Sequence, residues 1–362
     1  MGIQESIKDL EERISKTKYN KKTQSAIGQY KAQLAKLKDD VVKRASKGPR
    51  TQGYSVKKSG DATVVILGFP SVGKSTVLNA ITGAKSEVAA YEFTTLTCIP
   101  GVMKYNGATI QILDLPGIVH GAASGRGRGK EVLAVIRNAD LILILIDGQK
   151  PEHYNAILKE IYDSGVRVNE NIPVIKIAKK SKDGIKIGRT VKTDLDDQTI
   201  KDIMKEFKIN NADVVLRSNP TIDQFIDAVE GNKIYLPAVT AITKLDVLNE
   251  SQIEKINKEI NPDLFISAQD NVNMDRLKEL IFERLKLMRL YLKETGKDAD
   301  MAEPMIVKQK STIKDVCERL HKDFVTKFKF ARVWGPSSKF PGQKFMLDHV
   351  MKDKDILEIH LK

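Results

Sequence analysis

From Ala62 onward, short apolar runs alternate with amphipathic stretches, and each predicts its own element. Thr63 to Leu67, Ile110 to Leu113, Leu141 to Ile146 and Leu236 to Ile242 are strand-length and mostly apolar, the pattern of strands covered on both faces. Lys74 to Thr82 follows the first run directly and reads as a helix, as do Glu152 to Tyr162 and Met274 to Lys293. Strand–helix alternation predicts an α/β fold with a mostly parallel sheet between helices. Right-handed crossovers then gather the loops after the strands on one edge, where ligands bind. One connection breaks the rhythm: Thr243 lies 96 positions after Asp147, where a βαβ crossover takes about 30. Within it, Val174 to Ile177 and Ile185 to Ile187 predict a hairpin around Lys182-Asp183-Gly184. Helices at Gln198 to Phe207 and Thr221 to Val229 flank a short strand, Val214 to Leu216. So many apolar positions predict an inserted α+β subdomain rather than a disordered loop.

The two ends have their own patterns. Ile3, Ile7, Leu10 and Ile14, then Ile27, Tyr30, Leu34, Leu37 and Val41, recur at helical spacing on either side of a polar stretch, Thr17 to Thr23. They predict a helical hairpin, which can bury little alone and should pack on itself and on the next domain. A linker rich in Gly, Ser and Lys follows, from about Ser46 to Gly60. Beyond Pro304, strands at Met305 to Val307, Phe328 to Val333 and Ile356 to Leu361 surround a helix at Ile313 to Leu320. With Gly335-Pro336 and Pro341-Gly342 as turns, they predict a compact ubiquitin-like β-grasp unit. The expected domains are a hairpin and linker (1–60), a nucleotide domain in two parts (61–170 and 236–292), the insert (171–235) and the C-terminal unit (293–362).

Composition narrows the classes. With 362 residues, 41% hydrophobic and 30% charged, the chain has the make-up of an ordinary globular protein of several domains. No apolar run reaches the roughly 18 residues of a membrane span, and the charged opening residues predict no secretory leader. Met1-Gly2-Ile3-Gln4-Glu5-Ser6 fits the loose N-myristoylation pattern. That pattern often arises by chance, so a helix beginning near Ile3 is the preferred reading and no membrane partner is expected. Cys98 and Cys317, the only cysteines, make neither a disulfide framework nor a zinc site, which fits a reducing cytoplasm. The net charge of +13 favours an anionic partner, of which the usual large one is RNA or DNA. A merely solvated basic surface would be spread evenly, yet residues 1–60 carry 15 Lys and Arg against 6 Asp and Glu, a net of +9. Lys16, Lys18, Lys21, Lys22, Lys43, Arg44 and Lys47 lie on the hairpin's expected outer face.

Gly68-Phe69-Pro70-Ser71-Val72-Gly73-Lys74-Ser75, followed by Thr76, is a complete Walker A motif between a predicted strand and a predicted helix. Its glycines let backbone N–H groups wrap phosphates, and the helix N-terminus adds positive potential. Lys74 is expected on the β- and γ-phosphates and Ser75 on Mg²⁺. This motif alone does not choose between GTP and ATP. Asp114-Leu115-Pro116-Gly117 matches the D-x-x-G motif of GTPases, with Asp114 holding Mg²⁺ through water and the Gly117 N–H sensing the γ-phosphate. Thr243-Lys244-Leu245-Asp246 stands where N-K-x-D is found. A carboxylate at Asp246 can accept from guanine's ring N–H and exocyclic amine, a pair that adenine does not offer. Ser267-Ala268 matches the loop whose backbone N–H meets the guanine oxygen. Four weak motifs in the right order at strand ends make a strong one.

The chain also resembles one family over almost its whole length. Glu92-Phe93-Thr94-Thr95-Leu96-Thr97 with Pro100-Gly101, and Ile118-Val119-His120-Gly121-Ala122-Ala123 with Gly125, Gly127 and Gly129, resemble the switches of the Obg superfamily. With the basic helical N-terminus, the insertion and the C-terminal unit read as a TGS domain, the chain resembles the developmentally regulated GTP-binding protein family. The resemblance implies a cytoplasmic GTPase associated with ribosomes and translation, using Mg²⁺, in a family that pairs with a dedicated regulatory protein in eukaryotes. It implies Lys74, Thr95 and Gly117 as the catalytic set. Thr95 is preferred to Thr94 as the switch ligand of Mg²⁺, beside Ser75 and Asp114. The insert resembles a fold also seen in a small-subunit ribosomal protein.

There are two departures from the usual GTPase pattern. Thr243 replaces the usual Asn, and its shorter hydroxyl predicts weakened nucleotide affinity with guanine choice kept by Asp246. Ile118, itself a feature of the superfamily, stands where Ras-like GTPases carry a water-orienting Gln, so intrinsic hydrolysis is expected to be slow. Ser71 replaces the Asn that helps hold K⁺ in potassium-activated relatives, which leaves a role for K⁺ open. Arg126 and Arg128 in the second switch are candidates for transition-state or RNA contact, with solvated charge the preferred reading, and His120 reads as structural rather than catalytic. The competing classes are a P-loop ATPase or nucleotide kinase, opposed by Asp246 and Ser267-Ala268, and an RNA-binding protein with a vestigial nucleotide site, opposed by Lys74, Ser75, Asp114 and Thr95.

Overall fold

The computed structural model describes residues 3–45, 60–82, 89–90, 97–115 and 135–362. They form two compact units. One comprises the described parts of Tyr54–Val119 and Ala134–Ile157 with Pro237–Lys362; the other comprises those of Met1–Gly53 with Leu158–Leu236.

The first unit is built on a seven-stranded sheet in the order β12-β11-β5-β1-β4-β3-β2. Five strands run parallel: β1 (Ala62–Leu67), β4 (Ala108–Asp114), β5 (Leu141–Asp147), β11 (Ala238–Thr243) and β12 (Leu264–Phe265). β3 (Thr97–Tyr105) and β2 (Ala89–Ala90) add an antiparallel edge. β1, β5 and β11 are buried along their whole length, as strands covered on both faces must be. Helices α3 (Lys74–Thr82) and α8 (Met274–Arg284) bring Leu78, Ile81, Leu277 and Ile281 to this core. The parallel register sets the C-terminal ends of β1, β4, β5 and β11 along one edge, where the motifs lie. β3 and β4 are joined through Asn106 and Gly107, both at positive φ (49° and 80°), the two-residue turn whose twist suits a hairpin.

The same unit holds a five-stranded sheet in the order β14-β13-β17-β15-β16. Its strands are β13 (Leu287–Leu292), β14 (Met305–Lys308), β15 (Phe328–Trp334), β16 (Gln343–Phe345) and β17 (Asp355–Leu361). β13 and β17 are parallel and the other pairs antiparallel. Helix α9 (Ile313–Leu320), started by a Thr312–Asp315 capping box, lays Ile313, Val316 and Cys317 on Met288, Leu290, Val333 and Leu357. This is the expected β-grasp arrangement. The helix expected from Met274 to Lys293, however, stops at Arg284. Lys286 takes a left-handed conformation (φ 53°) that ends it, and the apolar residues beyond form β13. Leu285, Leu287, Met288, Leu290 and Leu292 suit either period, and pairing to β14 and β17 decides for strand. The C-terminal sheet therefore starts before the expected boundary at 293.

In the second unit, α1 (Ile3–Lys16) and α2 (Gln24–Ala45) form the expected helical hairpin. Asn20 Oδ1 accepts from the Lys22 and Thr23 N–H groups at the turn. α2 also packs on the inserted subdomain, a partner distant in sequence. Ile27 and Ala32 join Ile200, Ile203, Phe225 and Ile226 of α5 (Asp197–Glu206) and α6 (Ile222–Glu230) in one core. The approach is close: a Cβ on Gly28 would lie 3.1 Å from Thr199. The insert's sheet runs β7-β9-β8, with β7 (Ile175–Lys179), β9 (Ala212–Leu216) and β8 (Ile185–Arg189). The expected hairpin is thus corrected: β7 and β8 pair not with each other but with opposite edges of β9, antiparallel and parallel. β9 buries Ala212, Val214 and Leu216 completely, so the most apolar strand takes the centre. The expected linker lies outside the described residues except for its last residue, Gly60. No described helix is long and apolar enough to cross a membrane.

Candidate nucleotide-binding site

The phosphate loop leaves the buried end of β1 and turns into α3 through two left-handed residues, Ser71 (φ 62°) and Gly73 (φ 93°). Gly68 is required by crowding: a Cβ there would lie 2.7 Å from the Leu145 carbonyl and 2.9 Å from Val72. Phe69 is half-buried and stacks on His153, at the start of α4 (His153–Asp163), with ring centroids 3.9 Å apart. Pro70 and Ser71 are exposed and Val72 is buried. The Gly73 carbonyl accepts from the Val77 N–H at 2.9 Å, so α3 begins at Lys74. The first-turn N–H groups of the helix, including those of Ser75 and Thr76, lack intrahelical partners and face an incoming anion.

Lys74 Nζ donates to the Gly68 and Phe69 carbonyls, both at 3.1 Å. The Ser75 hydroxyl donates to Asp114 Oδ2 at 3.3 Å. Asp114 ends β4 beside β1, is 5% exposed, and its Oδ1 has no hydrogen-bond partner among the described residues. Burial pushes the Asp114 carboxyl up from its ordinary range, against the Lys74 charge and the Ser75 hydrogen bond. Burial likewise pulls the Lys74 ammonium down, opposed by Asp114. A cation, a hydroxyl and a half-satisfied carboxylate thus meet at the ends of two neighbouring parallel strands. The unpartnered oxygen and the hydroxyl are hard donors of the kind that Mg²⁺ takes.

At the end of β11, Thr243 is 3% exposed. Its hydroxyl lies 2.8 Å from the Val72 carbonyl and 3.2 Å from that of Ile146, so this strand is tied to the phosphate loop. Lys244 is left-handed (φ 60°) and its Nζ donates to Asp147 Oδ2 at 2.7 Å. That bond holds the strand ends of β5 and β11 together beyond their register. Asp246 lies in one turn of 3-10 helix, Leu245–Val247, with its side chain exposed. Ser267 is buried, and a two-way backbone bridge with Val272 closes its loop; its hydroxyl donates to Asp270 Oδ2 at 3.1 Å. Ala268 packs on the main core.

The described members of the expected site therefore lie at the ends of β1, β4, β11 and β12. Thr95 and Gly117, with Thr94, Ile118, His120, Arg126 and Arg128, lie outside the described residues. Sequence reasoning did not find Asp147, His153 or Asp270. Asp147-Gly148 at the end of an apolar run was a readable signal for the first. The other two act through contacts that no motif marks.

Residues 63–180 match a family described as a 50S ribosome-binding GTPase, and residues 182–287 match the C-terminal region of that domain. Residues 288–361 match the TGS domain. The chain is 49% identical to an uncharacterised GTP-binding protein of Methanocaldococcus jannaschii, over 100% of this chain and 94% of the other. It is 44% identical to a developmentally-regulated GTP-binding protein 1 homolog of Dictyostelium discoideum, over 99% of both chains. To human developmentally-regulated GTP-binding protein 2 it is 40% identical, again over 99% of both. A solved YchF GTPase of Schizosaccharomyces pombe aligns at TM-score 0.46 and 13% identity, over 86% of this chain and 100% of that one.

Proposed function

Because the chain belongs to the developmentally regulated GTP-binding protein family, we propose that this GTP-binding protein is a slow cytoplasmic GTPase whose nucleotide state governs its binding to the ribosome. The observation that carries the hydrolytic reading is the meeting of Lys74, Ser75 and the half-satisfied Asp114 at the mouth of the phosphate loop. When GTP enters, Lys74 exchanges two carbonyls for the β- and γ-phosphate oxygens, a charge-assisted contact stronger than the one it leaves. The amides from Gly68 to Thr76 wrap the phosphates.

Mg²⁺, when bound, would be held by Ser75, Thr95 and Asp114 and would neutralise the charge developing on the transferred phosphoryl group. Gly117 senses the γ-phosphate. Asp246 selects guanine, with Ser267 and Ala268 at the base oxygen, while Thr243 and Lys244 keep the base loop against the phosphate loop. With Ile118 in the place of a water-orienting Gln, hydrolysis of GTP to GDP and phosphate waits on a partner, on the ribosome or a dedicated regulatory protein, or on a monovalent ion such as K⁺.

Ribosome binding is supported by the match of residues 63–180 to a family of 50S ribosome-binding GTPases and by the net charge of +13. Lys74→Ala should abolish tight GTP binding in equilibrium titration; unchanged affinity would sink the assignment of this loop. Ribosome co-sedimentation with GDP, with a non-hydrolysable GTP analogue and with no nucleotide should give the strongest pelleting with the analogue. Equal pelleting in all three would remove the switch.

A further inference from the structure

The inserted subdomain covers one face of its three-stranded sheet and leaves the other open. Ile175, Ile177, Ile185, Ile187 and Val214 pack inward towards α2, α5 and α6. By strand alternation, Lys176, Ala178, Lys186 and Gly188 stand on the opposite face, and all four are exposed. The register sets Lys176 and Gly188 on either side of Val215, and Ala178 and Lys186 on either side of Asp213. Lys179, Lys180 and Lys182 crowd the end of β7 and the following turn. Residues 171–192 carry seven Lys and Arg against one Asp, a net of +6. Lys180 pairs with Asp213 and Arg189 with Asp197. Lys176, Lys179, Lys182, Lys186 and Lys192 have no ion-pair partner among the described residues.

Lysines on β7 and β8 have an ordinary explanation, since both are edge strands and charge there prevents unwanted strand pairing. That explanation does not reach Gly188. It lies inside β8 and is not among the positive-φ residues. A Cβ there would meet no atom closer than 4.0 Å. Neither a turn nor internal crowding asks for glycine, which weakens a strand and marks places where another backbone comes close. No aromatic residue lies on the three strands, so the face offers nothing for unpaired bases to stack on. What it offers is a floor of Ala178, Gly188, Val215 and Asp213, the last neutralised by Lys180, bordered by ammonium groups that match an array of phosphates.

We propose that the open face of β7, β9 and β8 binds the sugar–phosphate backbone of double-helical RNA, with Lys176, Lys182 and Lys186 on phosphates and Gly188 at the closest approach. The proposal rests on the RNA-binding part of the ribosome reading and gives it a surface. The test is fluorescence titration of the full chain with a labelled, perfectly paired RNA hairpin across a salt series. The variant Lys176→Gln/Lys182→Gln/Lys186→Gln should lose about tenfold or more in affinity at moderate salt, with a salt slope shallower by about two. Gly188→Val should keep or raise the melting temperature, because valine suits a strand, and yet bind the hairpin several-fold more weakly.

Wild-type affinity in both variants would overturn the proposal. So would aggregation of the lysine variant with unchanged affinity, which would leave the lysines as edge protection. Competition by poly-glutamate as effective as unlabelled RNA would reassign the face to an acidic protein. A wild-type chain that pellets with ribosomes but ignores the hairpin would overturn this surface and leave the ribosome reading standing.

Discussion

The Thr243 hydroxyl has one proton to give, and the Val72 carbonyl at 2.8 Å is a better acceptor than that of Ile146 at 3.2 Å. Sequence reasoning expected a threonine here to weaken nucleotide binding, because it is shorter than asparagine. The tie to the phosphate loop is nevertheless made. Thr243→Val should leave the Val72 carbonyl without a donor and weaken GTP by about 1 kcal/mol, roughly fivefold, with Thr243→Ser recovering most of it. An unaffected valine variant in equilibrium titration would show that the tie does not hold the loop. Lys74, Ser75 and Asp114 were legible because each belongs to a short motif with one chemical use. His153 was not, because its role is a ring contact between segments far apart in sequence, and nothing in its neighbours announces that.

Among the elements, the central strands of the nucleotide unit were legible because an apolar run bounded by turn signals has few other uses. The insert was harder. Its two short runs around Asp183-Gly184 looked like a hairpin, but strand order is set by which strand is paired along both edges, and β9, with Ala212, Val214 and Leu216 fully buried on its inner face, is that strand. The junction at Lys286 was illegible for a related reason, since its leucines fit both periods and only their partners distinguish them. The Asn106-Gly107 turn was a legible hairpin signal that went unused. At the base of the insert, β6 (Val166–Val168) pairs with β10 (Ile234–Leu236). There Arg167 meets Asp227 through two hydrogen bonds of 2.7 and 2.8 Å, both side chains being 4% exposed. The guanidinium also covers the Tyr162 ring at 3.6 Å. Asp227→Ala should cost about 3–5 kcal/mol by stranding a buried cation, whereas Arg167→Leu/Asp227→Leu should recover part of that. Urea denaturation of the full chain checks both, and a double variant less stable than Asp227→Ala would contradict the argument.

For the whole molecule, the packing of α2 changes how the basic N-terminus must be tested. Removing the hairpin would strip Ile27 and Ala32 from the core of the insert, so lost ribosome binding by such a truncation could reflect unfolding. Lys18, Lys21 and Lys22 are exposed at the hairpin turn, and their replacement by Gln should leave the melting temperature unchanged. If the hairpin adds salt-sensitive affinity, that variant's ribosome binding should depend less steeply on salt in co-sedimentation; an unchanged slope would remove the hairpin as a docking element. All of this depends on the edge formed by β1, β4, β11 and β12 being a guanine nucleotide site. The measurement that tests it most directly is competitive binding of GTP, ATP and xanthosine triphosphate to the wild-type chain and to Asp246→Asn. The wild-type chain should prefer GTP, and the variant should shift towards xanthosine triphosphate, because the amide reverses donor and acceptor at one base edge. A variant that keeps full GTP affinity and preference would contradict the site.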